Sequence, residues 1–254
     1  MKKAAYQTII TEFEQWGNQY GRVCSMGCST CCTENVTMTA LEGERILAFV
    51  IDRGMEQWLA DRLRNPARVE RSRMTTNEFA HACINHREAD PGANASLATC
   101  PLLEDDVCRI YPVRPFACRC FISTVRCSVV RPAQVDEHYL AASTAMLQLI
   151  EHLGQKEYWG TMVDVLLALL DISAYRPVAE ALADPPRIMQ GRLRTMTARP
   201  LPGFLVTEAE ESRLRPLLQA IFTTHIGDVT VEDILNGKTN AAVSSRSYSS
   251  SLSS

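Results

Sequence analysis

The chain has 254 residues, with 26 Lys+Arg against 29 Asp+Glu for a net charge of −3, and is 46% hydrophobic and 22% charged. These proportions fit a globular protein of one large or two small domains, with material for a core. No lobe or tail carries a charge excess that announces a nucleic-acid partner, and no apolar run reaches the ~18 residues of a membrane span. The nearest run, Trp159 to Leu170, is interrupted by Asp164 and closed by Asp171. The unusual figure is ten cysteines, all between Cys24 and Cys127.

The first residues, Met1-Lys2-Lys3-Ala4-Ala5, resemble the start of a signal peptide, but Glu12 and Glu14 interrupt the apolar stretch that should follow, which predicts a cytoplasmic protein. Residues 4–20 read as an amphipathic helix with Ile9, Phe13, Trp16 and Tyr20 on one face and Gly21 as its stop. Residues 23–35 lack periodicity and are dense in cysteine. Thr39-Ala40-Leu41-Glu42 is a capping box, predicting a helix to about Leu63, and a further helix is expected over 67–88. A loop follows over 89–99. From Cys100 to Cys127 short extended pieces and turns predominate, with a hairpin expected at Glu104-Asp105-Asp106. Tyr139, Ala142, Met146, Leu149 and Leu153 then mark a helix, and Trp159, Val163, Leu166 and Leu170 a second. Pro185-Pro186, Pro200 and Pro202 read as a connecting stretch. Thr207 to Glu210 is another capping box, with Pro216 expected to break or restart its helix. Eight of the last eleven residues are serine, a composition that predicts disorder.

In a reducing compartment ten cysteines do not form a disulfide framework, and so many thiols exceed what sporadic core use supplies. Thiolate ligation of a soft metal, or redox chemistry, remains. The first constellation, Cys24-Ser-Met-Gly-Cys28-Ser-Thr-Cys31-Cys32, places four thiols within nine residues, with Gly27 allowing a tight fold. The second runs from Cys100-Pro-Leu-Leu through Cys108-Arg-Ile-Tyr to Arg114-Pro-Phe-Ala-Cys118-Arg-Cys120. Pro112 and Pro115 stiffen the approach to Cys118.

These two motifs, in this order, resemble the YkgJ-like CxxCxxCC cysteine-cluster family, identified with zinc or iron chelation. The resemblance covers about residues 20–122. It is carried by Cys24, Cys28, Cys31 and Cys32, by Met38 to Glu42, by Cys100 to Leu103, by Cys108 to Tyr111 and by Arg114 to Arg119. The chain departs from the family where Asp106-Val107 precede Cys108 in place of a glycine. Cys83, Cys120 and Cys127 lie outside the shared pattern. The resemblance implies chelation and supplies no reaction. A distant relation, flagellin lysine N-methylase, carries a similar cluster associated with an iron–sulfur centre.

Adjacent Cys31 and Cys32 suit a single tetrahedral zinc poorly, because neighbouring side chains in extended backbone point apart, whereas a multi-iron cluster spreads its ligand positions. Arg109, Arg114, Arg119 and Arg126 stand where guanidiniums can donate to cluster sulfur. An iron–sulfur cluster, of the 4Fe-4S kind or another, is therefore expected ahead of zinc. His81, Cys83 and His86 read more simply as a surface histidine pair with a packed cysteine, and Arg64, Arg68 and Arg71 as a solvated face beside Glu70. Gly237-Lys238-Thr239 fails as a P-loop because position 232 is Glu232. Asn94-Ala95-Ser96 is a sequon without meaning in a cytoplasmic chain.

The expectation is a mainly α protein with a short β-hairpin and irregular cysteine-rich loops around a metal centre. Residues 1–130 would form the metal-binding region, 131–237 a helical region packed on it, and 238–254 a disordered tail. Its ligand pool is Cys24, Cys28, Cys31, Cys32, Cys100, Cys108 and Cys118. Two alternatives stand beside an iron–sulfur protein: a structural zinc module acting as a protein-interaction adaptor, and an iron–sulfur-dependent group-transfer enzyme. No nucleic-acid or membrane partner is indicated. A protein or small-molecule partner is left open, and no catalytic base stands out.

Overall fold

The computed structural model describes residues 1–65, 70–92, 98–128 and 130–238. Among them the chain is mainly α, with three small antiparallel sheets. In chain order the elements are α1 (Lys2–Gly17), β1 (Thr37–Thr39), α2 (Ala40–Asp52), α3 (Glu56–Arg64), α4 (Thr76–Ile84), β2 (Leu103–Glu104), β3 (Val107–Cys108) and α5 (Phe116–Cys120). There follow α6 (Glu137–Leu153), β4 (Tyr158–Thr161), α7 (Met162–Leu169), α8 (Arg176–Leu182), α9 (Pro185–Arg194), β5 (Met196–Thr197), α10 (Glu208–Thr223), β6 (His225–Ile226), β7 (Val229–Thr230) and α11 (Val231–Leu235). Among the described residues, no helix is long and apolar enough to cross a membrane.

Two compact units emerge, and neither begins or ends near residue 130. One joins Met1–Gln19 to the chain from Val206 onward, and the other is Tyr20–Leu205. In the first, α1 packs on α10 and α11 through Tyr6, Ile9, Ile10 and Phe13, against a chain that buries Leu214, Leu217, Ile221 and Val231. Here α10 runs through Pro216 without a break. Pro216 and Ser212 lie on the exposed face, so water can serve the carbonyl that the missing N–H leaves unpaired.

The second unit is organised around α7, whose eight residues are all buried. A helix apolar on nearly every side belongs at the centre of a core, and this accounts for the longest apolar run of the sequence. It packs against α2 and α9, while α3 packs against α8. Gly43 and Gly191 let these helices approach: a Cβ at Gly43 would stand 2.6 Å from Leu169 Cδ1, and one at Gly191 would collide with Leu167 Cβ. The single charge in α7, Asp164, caps its first turn with Thr161 and receives Arg71 through Nε at 2.6 Å and Nη2 at 3.2 Å.

Several expected boundaries shift. The helix predicted from Thr39 to Leu63 stops at Asp52 and resumes at Glu56. Gly54, at φ +63, turns the chain between the two pieces. Trp159 belongs to β4, which pairs with β1 (Met38 opposite Gly160) and with β5. Pro185-Pro186 open α9 instead of connecting, with Asp184 accepting the Arg187 N–H at 3.1 Å. The helix expected over 67–88 is described only as α4, opened by the box Thr75–Glu78. Arg68, residues 93–97 of the 89–99 loop with Asn94-Ala95-Ser96 among them, and the serine tail beyond Lys238 lie outside the described residues.

Candidate metal centre

Without a helix or strand of its own, the first cysteine segment is shaped by local turns. The Cys28 N–H reaches the Ser25 carbonyl at 3.0 Å, and the Cys32 N–H reaches that of Ser29 at 2.9 Å. Gly27 sits at φ +89, which an L side chain would strain. The anchors of this segment lie far away in sequence. Val23 donates to the Ser123 carbonyl at 2.9 Å, and Ser29 Oγ to Asp106 Oδ1 at 2.7 Å.

The second segment meets the first along its backbone. Cys100 donates its N–H to the Cys32 carbonyl at 3.0 Å, Thr33 and Thr99 form an antiparallel bridge, and Glu34 donates to Ala98 at 3.0 Å. Cys32 of the first motif and Cys100 of the second are thus stitched side by side. Beyond Cys100 lies the expected hairpin, turning at Asp105-Asp106, both with positive φ (49° and 62°) as a two-residue turn of the primed kind requires. Its register sets Cys108 opposite Leu103. Leu102 and Ile110, both fully buried in the α7 core, peg the hairpin at each end, and Cys100 and Cys108 rest against the same core.

Cys118 arrives on α5, whose position is fixed by a residue of the other motif. Glu42 accepts the Thr39 N–H at 2.9 Å as the capping box requires, and its second oxygen accepts the Phe116 N–H at 2.8 Å. The buried carboxylate therefore ties the start of α2 to the start of α5. Sequence reasoning saw only the cap. Among the arginines, Arg114 lies over the Tyr111 ring at 3.6 Å and donates to the Tyr111 carbonyl. Arg119 donates to the carbonyls of Arg114 and Pro112, and Arg109 pairs with Glu104 at 3.3 Å. Two of the four, Arg114 and Arg119, thus brace the backbone that carries the thiols.

Electrostatics relates the sulfurs to one another. The Cys32 thiol donates to Cys31, which pulls Cys31 down to about 6 and pushes Cys32 up. Burial pushes Cys100 up to about 11 and also raises Cys108 and Cys118. Neighbouring thiols add to this: Cys118 and Cys100 act on Cys32, Cys108 on Cys100, and Cys100 and Cys108 on Cys118. Arg114 opposes the rise at Cys108 and Cys118. Burial likewise raises Cys24, with Cys28, Cys31 and Cys127 contributing.

The seven predicted cysteines thus fall into two neighbouring groups joined at Cys31-Cys32: Cys24, Cys28 and Cys31, then Cys32, Cys100, Cys108 and Cys118. Cys127, which lies outside the shared pattern, neighbours the first group; no spacing rule of the motif pointed to it. Cys120 is buried, with Sγ 3.5 Å from the Ala117 carbonyl. Cys83 lies apart on α4. Among the described residues, no three His, Cys, Asp or Glu side chains are already disposed to hold an ion. The fit to a soft metal is one of donor type and shared charge: Cys32, Cys100 and Cys118 are each raised in part by the charge of neighbouring thiols, which a cation relieves.

No family model, curated protein or solved structure matches the chain.

Proposed function

We propose that this chain is a cysteine-ligated metal-binding protein whose ligands come from Cys24, Cys28, Cys31, Cys32, Cys100, Cys108 and Cys118, with an iron–sulfur cluster favoured over zinc. One observation carries the reading. Two cysteine motifs nearly seventy residues apart are joined backbone to backbone at Cys32 and Cys100, 3.0 Å from nitrogen to oxygen. Such pairing is what a shared centre needs, and the resemblance to the YkgJ-like family agrees with it. A bound cluster would supply one-electron chemistry. The chain's own part is to present the thiols: Leu102 and Ile110 seat the hairpin bearing Cys108, Glu42 seats the helix bearing Cys118, and Arg114 supplies positive charge beside both.

Anaerobic purification, metal and sulfide analysis and a visible spectrum test the reading. Iron with acid-labile sulfide and broad visible absorption is the expected result. Zinc in a colourless protein would replace the cluster with a structural zinc site, and the absence of either metal after reconstitution would end the proposal. Cys32→Ser and Cys108→Ser should lose metal, whereas Cys83→Ser should keep it.

A further inference from the structure

A second feature of the Tyr20–Leu205 unit lies outside the cysteine motifs. Between α4 and the extended stretch 199–202 opens a cleft of about 740 Å³, lined by Arg73, Arg87, Arg199 and His81 among others. That volume falls within the range of small-molecule sites.

One wall of the cleft has no strand partner, yet it is held at alternate residues by buried and half-buried polar groups. Glu151 accepts the Arg199 N–H at 2.8 Å, and His152 Nδ1 accepts that of Leu201 at 3.1 Å. Gln148 donates to the Gly203 carbonyl at 2.9 Å and accepts from the Leu205 N–H at 2.8 Å. Asn77, at the floor, donates to the carbonyls of Gln148 and Arg199, both at 3.0 Å, and its own N–H goes to Glu151. Gln148, Glu151 and Asn77 are each at most 1% exposed. A buried polar network is tolerated only when satisfied, and this one is satisfied by fixing an otherwise irregular segment along the cleft. The wall is preformed, as a binding site requires.

The charges at the rim are unequally engaged. Arg73 pairs with Asp90 and Glu70, and Arg199 pairs with Glu78. Arg87 and His81 have no side-chain partner among the described residues, and the carboxylates facing the cleft are Glu78, already paired, and Glu88. Arg73 and Arg199 are thus neutralised by Glu70, Asp90 and Glu78, and Arg87 is, among the described residues, the lining guanidinium that stays available to an anion.

We infer that this cleft binds a small organic or inorganic oxyanion, a carboxylate or phosphate, held by Arg87 with His81 beside it against the fixed 199–202 wall. None of the cysteines takes part, so the inference stands or falls independently of the metal. The test is a titration of the whole, reduced protein with inorganic phosphate and, separately, succinate, followed by amide NMR. Either anion should produce saturable shifts at Asn77, His81, Arg87 and Leu201, and whichever does so assigns the class. Arg87→Gln should weaken that anion about tenfold, as loss of a charge-assisted contact does. Arg53→Gln, an exposed arginine stacked on Phe49 elsewhere in the unit, should leave it unchanged. Saturation by neither anion, equal weakening by Arg53→Gln, or unchanged affinity in Arg87→Gln would overturn the inference.

Discussion

Around α7 every side chain from Met162 to Leu169 is buried, and twenty residues of the unit close into one apolar cluster. In the cysteine-bearing segments 21–36 and 98–128 of the same unit, order comes from single hydrogen bonds between distant loops and from four apolar pegs, Leu102, Ile110, Phe116 and Ile122. Each such bond contributes a net ~1 kcal/mol, whereas burying one large aliphatic side chain contributes ~1.5–3 kcal/mol. The core is therefore self-sufficient. The thiol region gains from whatever joins its loops more firmly, and ligand-dependent order should be confined to it.

The strongest way to break this contrast is to strike the core where it is polar. Asp164→Ala leaves Arg71 without its carboxylate and removes the acceptor of Thr161 Oγ. Loss of a buried partner costs about 3–5 kcal/mol, and because Arg71 retains some solvent exposure the lower end is expected, read by urea unfolding. Metal content per folded molecule should not change.

Two glycines sharpen the same comparison. Gly191→Ala drives a Cβ into Leu167 and to 3.0 Å from the Asp164 carbonyl oxygen, and such overpacking should cost about 2–3 kcal/mol. Gly27→Ala meets nothing within 4 Å; its only penalty is φ +89, about 1 kcal/mol. The first should lower the unfolding midpoint well beyond the second, while only the second should alter metal retention. A Gly191→Ala variant as stable as its parent would show that α7 and α9 are loosely packed.

Much of the frame was legible because short-range rules governed it. The Thr39–Glu42 and Thr207–Glu210 boxes open helices as read, and the same signal at Thr75–Glu78 and Thr230–Asp233 was there to be used. The five apolar positions of α6 are all buried. Its opposite resource, Gln148 and Glu151, escaped notice because an apolar stripe says nothing about polar residues buried beside it. Trp159 was placed in a helix because a buried strand running straight into a buried helix offers no polar face to betray the change of period. In the candidate site, the clustering of thiols by motif was readable. The pairing of Cys32 with Cys100, the register of Cys108 and the nearness of Cys127 to Cys24 were not, since each depends on contacts across tens of residues.

Glu42 links the two regions, and Glu42→Gln tests that link at smaller amplitude. The amide cannot accept at both ends, so either the Thr39 cap or the Phe116 N–H loses its partner, at about 1–2 kcal/mol. If the carboxylate seats α5, alkylation of Cys118 and Cys120 should quicken while hydrogen exchange in α7 stays as it was. Equal acceleration in both places would mean that Glu42 serves the whole core instead.

The last effect vanishes at neutral pH and grows only in alkali. Burial pushes the Cys120 thiol up to about 12, helped by the Glu42 charge and opposed by its bond with Ser143. Its unfolded value is the ordinary 9.0. Between those two values the unfolded chain has lost a proton that the folded chain keeps, so the folded state binds more protons and stability must fall as pH rises. Below about pH 9 both states are protonated and the contribution is constant. Cys100, pushed up to about 11 by burial, acts in the same direction. Reduced, metal-free protein should therefore lose stability from about pH 9 upward, and Cys120→Ser, which keeps the shape without the titration, should lose it less steeply. Urea unfolding at pH 7.5, 9 and 10 measures both slopes. Parallel slopes would mean that Cys120 meets water in solution, placing it with the accessible thiols of the loops and not with the core.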